Sequence, residues 1–140
     1  MKIMAIDYGD AHTGVAVSDR TGTLCGFSTV VTAYRPDAVI EKLLPLIAEH
    51  EVTELVLGHP VNMDGTRGPR AEKAEAFAEA LREATGLPVT LWDERRTTVD
   101  AHNILAANGK RAKERKKTVD AVAAALLLEG YLAYKKRAGE

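Results

Sequence analysis

The chain predicts an α/β fold: a mixed five-stranded sheet, three strands in an antiparallel meander followed by two parallel ones, with helices on both faces. Three observations carry that expectation. The apolar runs KIMAID, GVAVSD and LCGFSTVV follow one another with only short polar, Gly-containing stretches such as DRTG between them, the pattern of hairpin-linked strands. Beyond them, strand-like runs alternate with stretches of helical period, which implies parallel strands joined by right-handed crossovers. A chain of 140 residues can bury a core without disulfide or zinc staples, so one domain over residues 1–140 is expected.

The meander takes the first 31 residues or so. After Pro36, which suits a helix start, Val39, Ile40, Leu43, Leu44, Leu46 and Ile47 recur at helical spacing and predict a helix over Asp37–His50. Pro45 removes a backbone hydrogen bond inside it, so a kink or break is expected there. ELVLG, Glu54 to Gly58, reads as a buried strand. The loop HPVNMDGTRGP leads to a second helix over Arg70–Ala84, with Ala74, Phe77, Ala78 and Leu81 on one face and Gly86 and Pro88 closing it. Pro88–Glu94 is the last strand. Thr97 and Asp100, with capping-box-like spacing, and Gly109 bracket a third helix. A final Ala- and Leu-rich helix is expected from Thr118 to Lys136, giving the order βββαβαβαα.

Composition narrows the class of function. No apolar stretch reaches the roughly 20 residues of a membrane span, and the N-terminus enters a strand without a signal-peptide pattern. Cys25 has no partner for an intramolecular disulfide and reads as a small core residue, which points to a reducing, cytoplasmic setting. The net charge is -1, yet Lys110, Arg111, Lys113, Arg115, Lys116 and Lys117 against Glu114 give one segment a local +5. That segment is either a solvated face or a phosphate-binding element.

Three carboxylates stand where apolar segments meet polar ones: Asp7, Glu94 and Asp120. A carboxylate at a core edge is costly to desolvate, and several converging would repel one another unless a cation joined them. Each also has a local explanation. Asp7 opens DYGDAHTGVAVSD, where Gly9 and Gly14 suit a tight hairpin or a phosphate-binding turn. Glu94, in LWDERRTT, lies beside Arg95 and Arg96 and could pair with either. Asp120, in the first turn of a helix starting at Thr118, would favour the helix dipole; Ala123, Ala124 and Leu127 share its face and would let that helix approach the sheet closely. In LGHPVNMDGTRGPRAEKA, Asn62, Asp64, Arg67 and Arg70 could address substrate. His59 has no partner in metal-ligand spacing, and neither a P-loop nor a G-x-G-x-x-G element is present.

Together these four segments resemble the YqgF (RuvX) family, Holliday-junction-resolvase-like nucleases associated with maturation of precursor 16S rRNA. The match runs through essentially the whole chain, with the motifs in order. The resemblance implies an RNase H-like fold, cytoplasmic location and a role in ribosome biogenesis. It also implies a catalytic and metal-binding centre of Asp7, Glu94 and Asp120 holding Mg2+ or Mn2+. Two ions against three carboxylates would leave a net positive site for a scissile phosphate. Arg95, Arg96, Lys110, Arg111, Lys113, Arg115, Lys116, Lys117 and Asn62 are then the expected substrate contacts. The partners implied are nucleic acid, RNA before branched DNA, and the ribosome or its precursor; monomer and weak homodimer are both open. Where the family commonly has an arginine this chain has His12, and where it commonly has a leucine this chain has His59. A neutral imidazole is no substitute for a permanent guanidinium on a phosphate.

Trp92 and Tyr8 are the aromatic residues near these acids, too few for much base stacking, so low sequence specificity is expected. Two other classes share part of these signals. An actin-like ATP-binding domain uses a similar opening hairpin, though generally between two lobes, and a non-catalytic nucleic-acid-binding module would keep the basic segment alone.

Overall fold

The computed structural model describes residues 2–19, 21, 22, 25–60, 66, 68–93 and 112–138, the side chains of the last helix over 121–137. Its elements are β1 (Lys2–Asp7), β2 (His12–Ser18), β3 (Cys25–Thr32), α1 (Pro36–Glu49), β4 (Val52–His59), α2 (Pro69–Thr85), β5 (Val89–Asp93) and α3 (Ala112–Ala138). The strands form one sheet in the order β3-β2-β1-β4-β5. β1 pairs antiparallel with β2, and β2 with β3, while β4 lies parallel to β1 and β5 parallel to β4. This is the expected mixed sheet.

Strand alternation divides the core in two. Met4, Ile6, Val15, Val17, Leu55 and Leu57 face α1 and α2, meeting Val39, Leu43, Phe77 and Leu81. Ile3, Ala5, Ala16, Val56 and Trp92 face α3, meeting Ala124, Leu127, Leu128, Tyr131 and Leu132. Small Ala5 and Ala16 on the sheet opposite Ala124 let α3 lie close. Cys25 packs at the margin of this second core, only half-buried, because β3 is an edge strand.

Two helix expectations change. α1 runs unbroken through Pro45. Pro45 and Glu41, whose carbonyl loses its usual partner, both lie on the exposed side, where water can take up the freed acceptor. The final helix begins at Ala112 rather than Thr118, so Lys113, Arg115, Lys116 and Lys117 are helical; Ala, Lys, Arg and Glu are all strong helix formers. At α2's other end the closing signal works as expected. Gly86 takes the left-handed conformation at φ 70°, and its N–H donates to the Arg82 carbonyl at 2.9 Å. The helix expected between Thr97 and Gly109 lies outside the described residues.

Candidate active site at the strand ends

β1, β4 and β5 run parallel, so their C-terminal residues Asp7, His59 and Asp93 share one edge of the sheet. From β1 the chain turns to β2 on one side and later crosses to β4 on the other, which makes the β1–β4 boundary the point where open α/β sheets place their ligands. Asp7 stands at that point, paired across to Gly14. Parity puts it on the same face as Ile3 and Ala5, the face covered by α3. One step beyond the Ile6–Leu57 pair, Asp7 is level with Gly58, which in turn pairs with Trp92 of β5. Gly58 brings no side chain to the α3 face between those two columns.

The turn after Asp7 is tightly specified. A Cβ on Gly9 would run into the carbonyl oxygen of His12, so only glycine fits. The Gly9 N–H donates to the buried Thr13 hydroxyl at 3.4 Å. His12 lies at the start of β2 with its Nδ1 3.3 Å from Thr32 Oγ1. His59 Nε2 is 2.7 Å from Glu75 of α2, a pairing that the local sequence around His59 does not reveal.

α3 packs across the face of the sheet to which parity assigns Asp7. In its C-terminal half Glu129 accepts from the Cys25 N–H at 3.4 Å, and Tyr131 and Lys135 both reach Glu54 early in β4. Cys25 pairs with Ser18, which lies beside Ile3. Position 120 shares the helical stripe of Ala124, Leu127 and Tyr131, which packs on the sheet. The longer helix removes the first-turn explanation for Asp120, since more than two turns now precede it. Glu94, Arg95, Arg96, Lys110, Arg111 and Asn62 lie outside the described residues. Among the described residues no group of three or more His, Cys, Asp or Glu could hold a metal ion.

The other side of the same edge carries aromatic residues. Tyr8 stacks on Phe77 with centroids 4.1 Å apart and planes 9° from parallel. Burial, aided by nearby Asp10, pushes the Tyr8 phenol above its ordinary range. Asp10 in turn lies 3.6 Å from Lys73. Trp92 is buried against Tyr131 and is not a stacking surface.

The model of the RuvX family, described as Holliday junction resolvase, matches residues 1–134. The chain belongs to the RuvX family. A relative from Halothermothrix orenii is 42% identical over 137 residues, covering 98% of each chain. One from Desulfitobacterium hafniense is 47% identical over 135 residues, covering 96% of this chain and 93% of its own. Both carry the name "Putative pre-16S rRNA nuclease". Among solved structures, Thermus thermophilus RuvC in complex with a Holliday junction substrate superposes with a TM-score of 0.64 at 17% identity, covering 99% of this chain and 96% of its own. This RuvX chain therefore has the RNase H-like fold that its motifs led one to expect. Among the described residues no helix is long and apolar enough to cross a membrane.

Proposed function

We propose that this chain is a metal-dependent nuclease that hydrolyses phosphodiester bonds, acting in 5′ maturation of precursor 16S rRNA, with Asp7, Glu94 and Asp120 as its centre. What supports this reading is that parity puts Asp7 on the sheet face that α3 covers, and that position 120 stands in α3 on the helical stripe of Ala124, Leu127 and Tyr131. Glu94 is included from the sequence: it directly follows Asp93, the last residue of β5, and lies outside the described residues. RNA is the favoured substrate on the strength of the relatives' name. Three carboxylates offer oxygen donors alone, which fit Mg2+ or Mn2+. Ions bound there would supply an activated water and stabilise the leaving oxygen.

The chain's own residues then do the positioning. The rigid turn at Gly9 fixes the end of β1 and with it the Asp7 carboxylate. The first two turns of α3 precede position 120 and hold Lys113, Arg115, Lys116 and Lys117, cations suited to flanking phosphates. Arg95, Arg96, Lys110, Arg111 and Asn62 add to this set. The setting is a single domain working in the cytoplasm on the ribosome precursor.

The test uses the purified chain with Mn2+ and three substrates: RNA spanning the 5′ end of precursor 16S, unrelated single-stranded RNA, and a four-way DNA junction. Asp7→Asn is expected to lower cleavage at least about 100-fold, beyond the roughly 10- to 100-fold cost of losing an outer partner of a metal site, with an unchanged circular dichroism spectrum. Calorimetric uptake of Mn2+ is expected to vanish in Glu94→Gln. An Asp7→Asn protein that cuts at the wild-type rate removes the proposed centre. Cutting of the junction with RNA left intact moves the substrate to branched DNA.

A further inference from the structure

We propose that the groove beside Tyr8 is a nucleobase pocket, taking an unpaired base of single-stranded RNA next to the bond that is cut; this rests on the nuclease reading above. The groove holds about 310 Å³ and is walled by Tyr8, Tyr34, Pro36 and Phe77, with Asp10 and Lys73 at its polar side. That volume is at the small end of ligand sites, suited to a base and not to a duplex. Phe77 is already covered by the Tyr8 ring. Tyr34 is different: it leaves 78% of its surface exposed, an aromatic face offered to solvent at the wall of a concave site.

A path joins this pocket to the candidate centre. A second, narrow groove shares Tyr8, Asp10 and Lys73 and continues past Arg70 to Gly58, the residue level with Asp7 on the neighbouring strand. Asp7 and Tyr8 are consecutive in sequence and serve opposite faces, Tyr8 packing against the α1–α2 core. A strand crossing the sheet edge between them therefore has one nucleotide on the Asp7 side and an adjacent one over the groove.

Charge sets the orientation. Asp10, 90% exposed, repels a phosphate but accepts hydrogen bonds from base N–H groups, whereas Lys73, 65% exposed, and Arg70 suit the phosphate between base and centre. Aromatic walls combined with cations along a groove are how proteins hold single strands. A base must leave its helix to enter, so the pocket selects unpaired RNA over duplex. The exposed aromatic face in this groove is that of Tyr34, since Trp92 is buried and Tyr8 is stacked on Phe77.

The experiment measures binding without metal and cleavage with Mn2+, using single-stranded RNAs that carry 2-aminopurine, or an abasic site, at successive positions. Quenching of 2-aminopurine is expected at one position adjacent to the cleavage site. Tyr34→Ala is expected to abolish that quenching and weaken binding at least about five-fold, and Tyr34→Phe to restore both. Tyr34 is exposed, so neither substitution threatens the fold. Wild-type cleavage that is indifferent to Tyr34→Ala and to every abasic substitution overturns the pocket and leaves the nuclease reading standing. Position-specific quenching in a wild-type protein that never cuts supports the pocket and sinks the nuclease reading. Failure of the wild-type protein to bind single-stranded RNA at all overturns the pocket as well.

Discussion

The two ends of the sheet use their polar groups in opposite ways. At the end where β1 and β4 begin, Glu54 accepts from the Tyr131 hydroxyl at 2.5 Å and from the Lys135 ammonium at 2.7 Å. Beside them the buried Ile3 N–H donates to Ser18 at 2.9 Å. These groups satisfy one another and clamp the last turns of α3 to the sheet. At the other end Asp10, Lys73 and Tyr34 are exposed, two grooves open, and backbone crowding at Gly9 shapes the turn, beside the Gly9–Thr13 and His59–Glu75 hydrogen bonds. One end is closed by its hydrogen bonds; the other adds two open grooves to its own pairings.

Gly9→Ala is the sharpest way to break the contrast. Its Cβ forces the Asp7 turn away from His12, and overpacking of this kind costs about 1–3 kcal/mol. Cleavage is expected to fall far more than that loss of stability explains, since the turn carries Asp7; a variant with normal activity and lowered melting temperature would make the open end merely structural.

The stripe of α3 offers a second test. At 3.6 residues per turn, Lys113 and Lys117 share the face of position 120, while Arg115 lies on the opposite side. Neutralising Lys113 and Lys117 together is expected to weaken RNA binding and reduce its salt slope by about 1.4, at roughly 0.7 per single-strand phosphate contact. Arg115→Ala is expected to change it much less. Equal slopes from the two sides would detach α3 from the substrate path.

Tyr131→Phe probes the closed end and is expected to have the smallest effect, a loss of about 1 kcal/mol for one hydrogen bond with cleavage unchanged. Its pH dependence has a definite sign. Burial, then the bond to Glu54, raises the Tyr131 phenol above 10.0, and Glu54 raises Lys135 above 10.5. The folded state holds both protons more tightly, so this stability is present in full below those ordinary values and is lost as pH climbs through the raised ones. Melting curves should fall more steeply above pH 10 in the wild type than in Tyr131→Phe; parallel curves would mean that the clamp does not depend on this phenol.

Much of the architecture was legible because alternation and helical period are local. The meander, both later strands and both amphipathic helices follow from apolar spacing, with ends shifted by a few residues. Position 7 as a strand end followed from KIMAID meeting DYGD. The start of α3 was not legible, because a charged run reads equally as loop or helix until it continues a helix anchored elsewhere. Whether Pro45 would break α1 was not legible, because its cost depends on whether the freed carbonyl faces water, which spacing alone does not show.

The sequence by itself determined the order of the described elements and the place of Asp7 at a strand end, since each depends on a few neighbours along the chain. Only the tertiary structure decided that α3 covers the sheet face to which Asp7 belongs, that His59 meets Glu75, and that Tyr8, Tyr34 and Lys73 wall a single groove. Those arrangements depend on strand order, register and helix direction, which are set by long-range packing and leave no local mark.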